Sequence, residues 1–269
     1  MAYPTVSAPY GLKPVNLIGG QVFAGSTRMF PIASGYNASL FYGDVVQLTS
    51  DGTLVVNGTT SGTSATAGIV GVFLGVQYTN PSTKQPINAQ YWPANTVASD
   101  AIAYVCDDPD AIFQAVACNT GTTIANVGQW AVGKNAGLLQ NTGSTNTGDS
   151  AVAVGGAAPA ASAKIMRIVG IVPESEITTT ASGTTSGSST TVTLAAANSA
   201  ITPYMSVTGT GITAGTYVSA ISGTNLTLSV AANLASATTL TFDGSPEVLV
   251  KFNFGWHSYY NGTGAAVAT

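Results

Sequence analysis

The sequence predicts an all-β protein in which a main β-barrel or sandwich domain carries an extended N-terminal arm and a small inserted β module. Three observations predict it. Val, Ile, Tyr, Phe and Thr recur with two-residue alternation in short runs. Gly, Asn, Asp and Pro break those runs at intervals suited to strand connections. Scarcely any window of eleven or more residues spaces apolar side chains three and four apart, and the one helical candidate, around Val192 to Ala200, is shorter than that.

Residues 1–20 read as the arm. Pro4, Pro9 and Pro14 fix φ and exclude a helix, and Tyr3, Val6, Tyr10, Leu12, Val15 and Leu17 lie between and around them. Apolar side chains on an extended segment are buried across their own domain or on a neighbouring subunit. A frayed terminus is the plainer alternative.

The main domain is assigned to 21–176 plus 245–269. Its strands read as "TRMFPIA", "SLFYGDVVQLT", "GTLVVNG", "GIVGVFLGVQYTN", "QYWPANTV", "AIAYVCDDPDAIFQAVA", "QWAVGK" and "AKIMRIVGIV", and "EVLVKF" resumes the pattern near the end. The stretch "NTGSTNTGDSAVAVGGAAPAASA", residues 141–163, reads as a mobile surface loop because its side chains are small and its start is polar. "CDDPD" reads as a hairpin turn.

Residues 177–244 form the inserted module. The stretch lacks Lys, Arg, Asp and Glu from 177 to 242 and offers short runs of Thr, Val, Ile and Leu separated by Gly and Asn. Insertion at a strand connection costs little, because loop-closure entropy grows only logarithmically with length. Gly209, Gly211 and Gly215 could be mistaken for a phosphate loop. That loop needs a following helix and, in its commonest form, a Lys before Ser or Thr; here a strand-like alternation follows, so the glycines read as turn residues.

Composition narrows function. Only 7% of the residues are charged, against about 25% in an ordinary globular protein, so Thr, Ser, Asn and Gln supply most of the polar surface. The net charge is −4 and no basic run exists to neutralise successive phosphates, so direct nucleic-acid binding is not expected. No stretch reads as a membrane span or secretory leader. Cys106 and Cys118 read as buried free thiols.

No set of residues reads as a catalytic centre, and neither a cofactor nor a metal site is assigned. His257, the only histidine, sits among aromatics in "FGWHSYY" and has no Cys or acidic companions at zinc spacing. Asp107, Asp108 and Asp110 could offer oxygens to Ca²⁺, but an Asp-Pro turn explains them more simply. Glu174 and Glu176 read as charges that deter sheet-to-sheet aggregation. Trp92, Trp256, Tyr259 and Tyr260 are candidate interface aromatics.

The segments "YGLKPVNLIGGQVFAGSTRMFPIAS", "LFYGDVVQL", "GVFLGVQYTN", "YWPANTV", "AIAYVCDDPDAIFQAV" and "IMRIVGIV", in that order, resemble capsid decoration (cement) proteins of tailed bacteriophages. The resemblance covers Tyr10 to Ser175 and Glu247 to Phe254, about two thirds of the chain. The inserted block looks like small β modules of phage structural proteins.

The resemblance implies a structural virion protein, not an enzyme, made in the host cytoplasm and bound to the outer capsid surface. Its partners would be the major capsid protein and itself, as a homodimer or homotrimer. The arm residues Tyr3, Pro4, Val6, Pro9, Tyr10, Leu12, Pro14, Val15 and Leu17 would make the capsid or inter-subunit contact. The alternative reading is a carbohydrate-binding or adhesive fibre component that meets a host-surface glycan through the inserted module and exposed aromatics such as Tyr91.

Overall fold

The computed structural model describes residues 6–58, 68–234 and 236–260. The chain is all-β, and its helical content among the described residues is three single 3₁₀ turns. In order the strands are β1 (Lys13–Leu17), β2 (Arg28–Pro31), β3 (Val45–Leu48), β4 (Leu54–Val56), β5 (Ile69–Thr79), β6 (Pro86–Ala89), β7 (Ile102–Cys106), β8 (Ala111–Thr120), β9 (Thr123–Ile124), β10 (Asn135–Leu139), β11 (Ala153–Ala160) and β12 (Met166–Ile171). They continue as β13 (Ile177–Thr184), β14 (Ser188–Leu194), β15 (Ser206–Thr208), β16 (Val218–Ser222), β17 (Asn225–Asn233), β18 (Thr238–Gly244) and β19 (Glu247–Phe252).

The first sheet is a small barrel organised around β8. Both β1 and β19 pair with the stretch containing Phe113 and Gln114, so they lie on its opposite edges. Beyond β1, the C-terminal half of β8 takes β11 in parallel at Ala117 and Cys118. From β11 the ladder runs through β10 and β12 to β19, which returns to β8 and closes the ring. On β19 the alternation is complete: Val248, Val250 and Phe252 face the core, while Glu247, Leu249 and Lys251 face outward. The interior is filled by Phe113, Leu138, Ile165, Met166 and Ile168 with these inward residues, and each such side chain contributes roughly 1.5–3 kcal/mol by leaving water.

A second sheet, ordered β2, β7, β5, β3, β4 with β6 also on β5, packs Leu40, Phe73, Val76, Trp92 and Val105 into its own core. Strand β2 forms one of its edges.

The residues from Ile177 to Gly244 form the third sheet, ordered β15, β18, β13, β14, β17, β16, over a core that includes Met205, Leu226, Leu240 and Phe242. A bridge between Ser206 and Tyr217 brings its first and last strands together. This sheet is seated on the barrel by a joint. The Trp130 and Tyr217 rings stack at 3.6 Å, the Trp130 indole N–H donates to the Tyr204 carbonyl at 2.8 Å, and the Asn126 N–H donates to the Thr202 hydroxyl at 2.8 Å.

Several expectations change. Of the two fates open to the arm, its described part takes burial on its own domain: Lys13–Leu17 is a barrel strand paired with β8, Pro9 and Leu12 are buried, and the Leu12 N–H donates to the Gly43 carbonyl at 3.0 Å. Residues Lys13 to Leu17 cover the edge of β8, from Ala111 to Gln114, opposite the one that β19 takes. Tyr3 and Pro4 lie outside the described residues.

"CDDPD" is not a hairpin turn. β7 belongs to the second sheet and β8 to the barrel, so the segment is a corner at which the chain changes sheets. "QWAVGK" opens with a 3₁₀ turn at Gln129–Ala131, and the helical candidate is divided between β14 and a turn.

Residues 141–163, read as a loop, contain β11, with Val152, Ala153 and Val154 buried. Small side chains there reflect close approach: a Cβ on Gly155 would stand 1.8 Å from the Cys118 carbonyl oxygen. Gly209, Gly211 and Gly215 do occupy the turn from β15 to β16, with positive φ.

Candidate interaction surface

The corner between the two main sheets gathers charge and exposed aromatic surface in one place. Asp108 builds the bend, its carboxylate accepting the Asp110 N–H at 2.8 Å, which frees the two flanking aspartates to point elsewhere. Asp107 meets the Arg28 guanidinium of β2 at 2.9 Å and accepts the Tyr259 hydroxyl. Asp110 pairs with Lys251 of β19. The three carboxylates therefore serve separate partners, and among the described residues no group of three or more His, Cys, Asp or Glu is placed to hold a metal ion.

Around these pairs lies an apolar rim. Phe254 is 56% exposed, Tyr259 44% and Tyr260 45%. Phe254 and Tyr260 meet edge to face at 4.5 Å, the Lys251 ammonium lies 5.0 Å over the Phe254 ring, and Arg28 lies 5.2 Å over Tyr259. Exposed Ile18 adjoins through its N–H, donated to the Asp110 carbonyl, whereas exposed Met29, the next residue after Arg28 on β2, faces the other side of that sheet. The Tyr259 hydroxyl is pushed well above its ordinary range, first by burial and then by the neighbouring Asp107 carboxylate, so it stays a donor.

His257 anchors this rim from beneath. It is buried, its Nδ1 accepts the Tyr259 N–H at 3.3 Å, and its backbone bridges to Ile69. Burial holds its pKa below the usual imidazole value, against the pull of Asp107, so the neutral ring is favoured.

Two of the four candidate interface aromatics are corrected. Trp92 is wholly buried, edge to face with Tyr78 at 5.2 Å, and Trp256 lies in the barrel core. Indole rings carry more apolar surface than any other side chain, so the sheet interiors claim them. Tyr91 stacks on Phe41 at 5.7 Å. Among the arm residues, Tyr10 donates its hydroxyl to Glu247, Val15 and Leu17 lie on β1, and Val6 packs on a small cluster with Val116 and Cys118. Sequence reasoning missed Arg28 and Lys251, whose carboxylate partners are distant in the chain, and also Phe254, which packs on its near neighbours Tyr260 and Lys251.

Cys106 and Cys118 are free and buried, and burial pushes their thiols up to about 12 and about 11. Glu174 and Glu176 are exposed on and after a 3₁₀ turn at Pro173–Ser175.

A cleft of about 540 Å³ opens beside Asp44, lined also by Phe41, Val56 and Gln140. Asp44 is buried and accepts the Phe41 N–H at 2.8 Å. Burial raises its pKa from 3.8 to about 6, with hydrogen bonds from Ser150 and Phe41 opposing the rise. A carboxyl raised in this way contributes stability that is complete below pH 3.8 and lost as pH climbs through about 6. That difference amounts to about 3 kcal/mol.

Asp44→Asn is therefore expected to unfold at higher temperature than the parent near pH 8, with the advantage shrinking towards about pH 4. The lowered pKa of His257 acts oppositely, and it cancels when the two melting profiles are subtracted. Parallel profiles for parent and variant would refute the assignment.

Comparison of the chain with protein-family models, curated protein sequences and solved structures gives no match.

Proposed function

We propose that the chain is a structural virion protein that binds the outer surface of a tailed-phage major capsid protein lattice and stabilises the head. The order of segments in the sequence supports this reading, and one structural observation carries it: the exposed apolar corner of Ile18, Phe254, Tyr259 and Tyr260 has both of its cations, Arg28 and Lys251, already paired with carboxylates of the chain. A surface of that kind can be covered by a neighbour without stranding an unpaired cation, and the third carboxylate, Asp108, already accepts the Asp110 N–H. Aromatic residues are enriched at the cores of protein interfaces. The contact is assigned to this corner, not to a free arm, because β1 is committed to its own barrel.

The test is cosedimentation of the purified chain with shells assembled from the capsid protein. The parent is expected to saturate the shells. Replacing Phe254, Tyr259 and Tyr260 together by Ser is expected to weaken binding at least about tenfold. A parent that leaves the shells bare removes the proposal, and a triple variant that binds as tightly as the parent removes the corner from it.

A further inference from the structure

The outward face of β12 and β19 has an electrical polarity that the barrel itself does not require. On β19 the outward residues run from Glu247 through Leu249 to Lys251, their backbones about 13 Å apart at the ends. On β12, Arg167 is the cross-strand partner of Lys251, and is exposed at the same end. The opposite end continues into exposed Glu174 and Glu176, close to Glu247, whose carbonyl accepts the Val172 N–H. Between the two ends the relief is low: Gly170 stands opposite Leu249, which lies against it.

The neighbouring charges do not erase the polarity. Asp110 offsets Lys251, but the Arg167 guanidinium donates to the neutral Asn135 amide oxygen at 3.3 Å, and Lys164 donates to the Ala158 carbonyl. Lys13, on the adjoining β1, sits over the Tyr10 ring. Among the described residues the two ion pairs are Arg28 with Asp107 and Lys251 with Asp110, so Glu174 and Glu176 have no internal cation.

We propose that this face is a two-fold self-association surface, on which a second copy of the chain docks antiparallel. Rotation by half a turn sets Arg167 of each copy against Glu174 and Glu176 of the other, and Leu249 against its own equivalent. An interface related by a two-fold must be self-complementary, and a face with unlike charges at its ends and an apolar centre meets that condition. The inference stands on charge placement and does not depend on the virion reading.

Sedimentation velocity of the full chain tests it. At low salt the parent is expected to sediment at twice its 26.9 kDa mass, and raising salt to about 0.5 M is expected to weaken the dimer about tenfold. Arg167→Glu alone, and Glu174→Lys with Glu176→Lys alone, are each expected to give monomers. Mixing these two variants is expected to restore the dimer, because both contacts then pair opposite charges again.

All three positions are exposed, so circular dichroism and melting temperature should match the parent; Arg167→Gln is the milder second variant should Arg167→Glu fail to fold. A parent that is monomeric at low salt overturns the proposal. So does a mixture that stays monomeric, or a restored particle larger than two copies.

Discussion

Gly155→Ala is expected to abolish soluble folded protein. The added methyl would sit 1.8 Å from the Cys118 carbonyl oxygen and 2.9 Å from its carbonyl carbon, and both are backbone atoms of the strand that holds the barrel together. Gly155 also has φ +144, a conformation that side-chain-bearing residues rarely adopt. Relief would require β11 to move away from β8, which breaks the parallel pairing at Ala117 and Cys118 and opens the ring. The loss is expected to exceed about 4 kcal/mol, in the range reserved for disrupted cores and strained backbone. Soluble yield and far-ultraviolet circular dichroism check it; a variant recovered in normal amounts that melts within a few degrees of the parent would show that the approach of the two strands is not obligatory.

Trp92→Ala is the second large effect, expected to cost about 3–5 kcal/mol. The ring is fully buried against Tyr78, and its backbone exchanges hydrogen bonds with Leu40 in both directions at 2.8 and 3.1 Å. Truncation leaves a cavity at the centre of the second sheet's core. Trp92→Phe is expected to cost much less, since the indole nitrogen is buried without a hydrogen-bond partner and its removal relieves that penalty. Urea denaturation orders the three proteins. A Trp92→Ala variant as stable as the parent would return this residue to the surface role that its sequence neighbourhood suggests.

How far the fold could be read from the sequence depended on side-chain size. Strand β19 announces itself by alternation, and β5 and β8 by runs of Val, Ile, Phe and Ala bounded by turn residues. The stretch 177–244 stands out by its lack of charge, and the structure gathers it into one sheet. β11 was hidden because its signal is reversed: "AVGGAAPA" is small where it must pass close to β8, and small residues usually mark loops.

The corner at Asp107 was misread for another reason. A turn sequence fixes the local bend, but which sheet the next strand joins is decided by partners far along the chain, such as β19 for β8. The arm left two partners open in the sequence, since extended chain looks alike whether its partner is its own barrel or another molecule, and β1 takes the first. Of the candidate site, Tyr259 and Tyr260 were legible as an aromatic pair. Arg28, Asp107, Lys251 and Asp110 were not, because ion pairs leave no sequence periodicity.

The route by which the barrel closes sets an order for its assembly during synthesis. β12 leaves the ribosome well before β19, because all of the residues of the third sheet lie between them in the chain. That intervening sheet pairs only within itself, so it can form while β8 and β12 still wait for the strand that joins them. Until then the edges of β8 and β12 that will receive β19 remain open and unpaired. Leu249, the apolar centre of the outward face, is carried on that same late strand with Glu247 and Lys251, whereas Arg167, Glu174 and Glu176 are made before the third sheet. A chain that has not yet made β19 therefore lacks the apolar centre of the proposed self-association face.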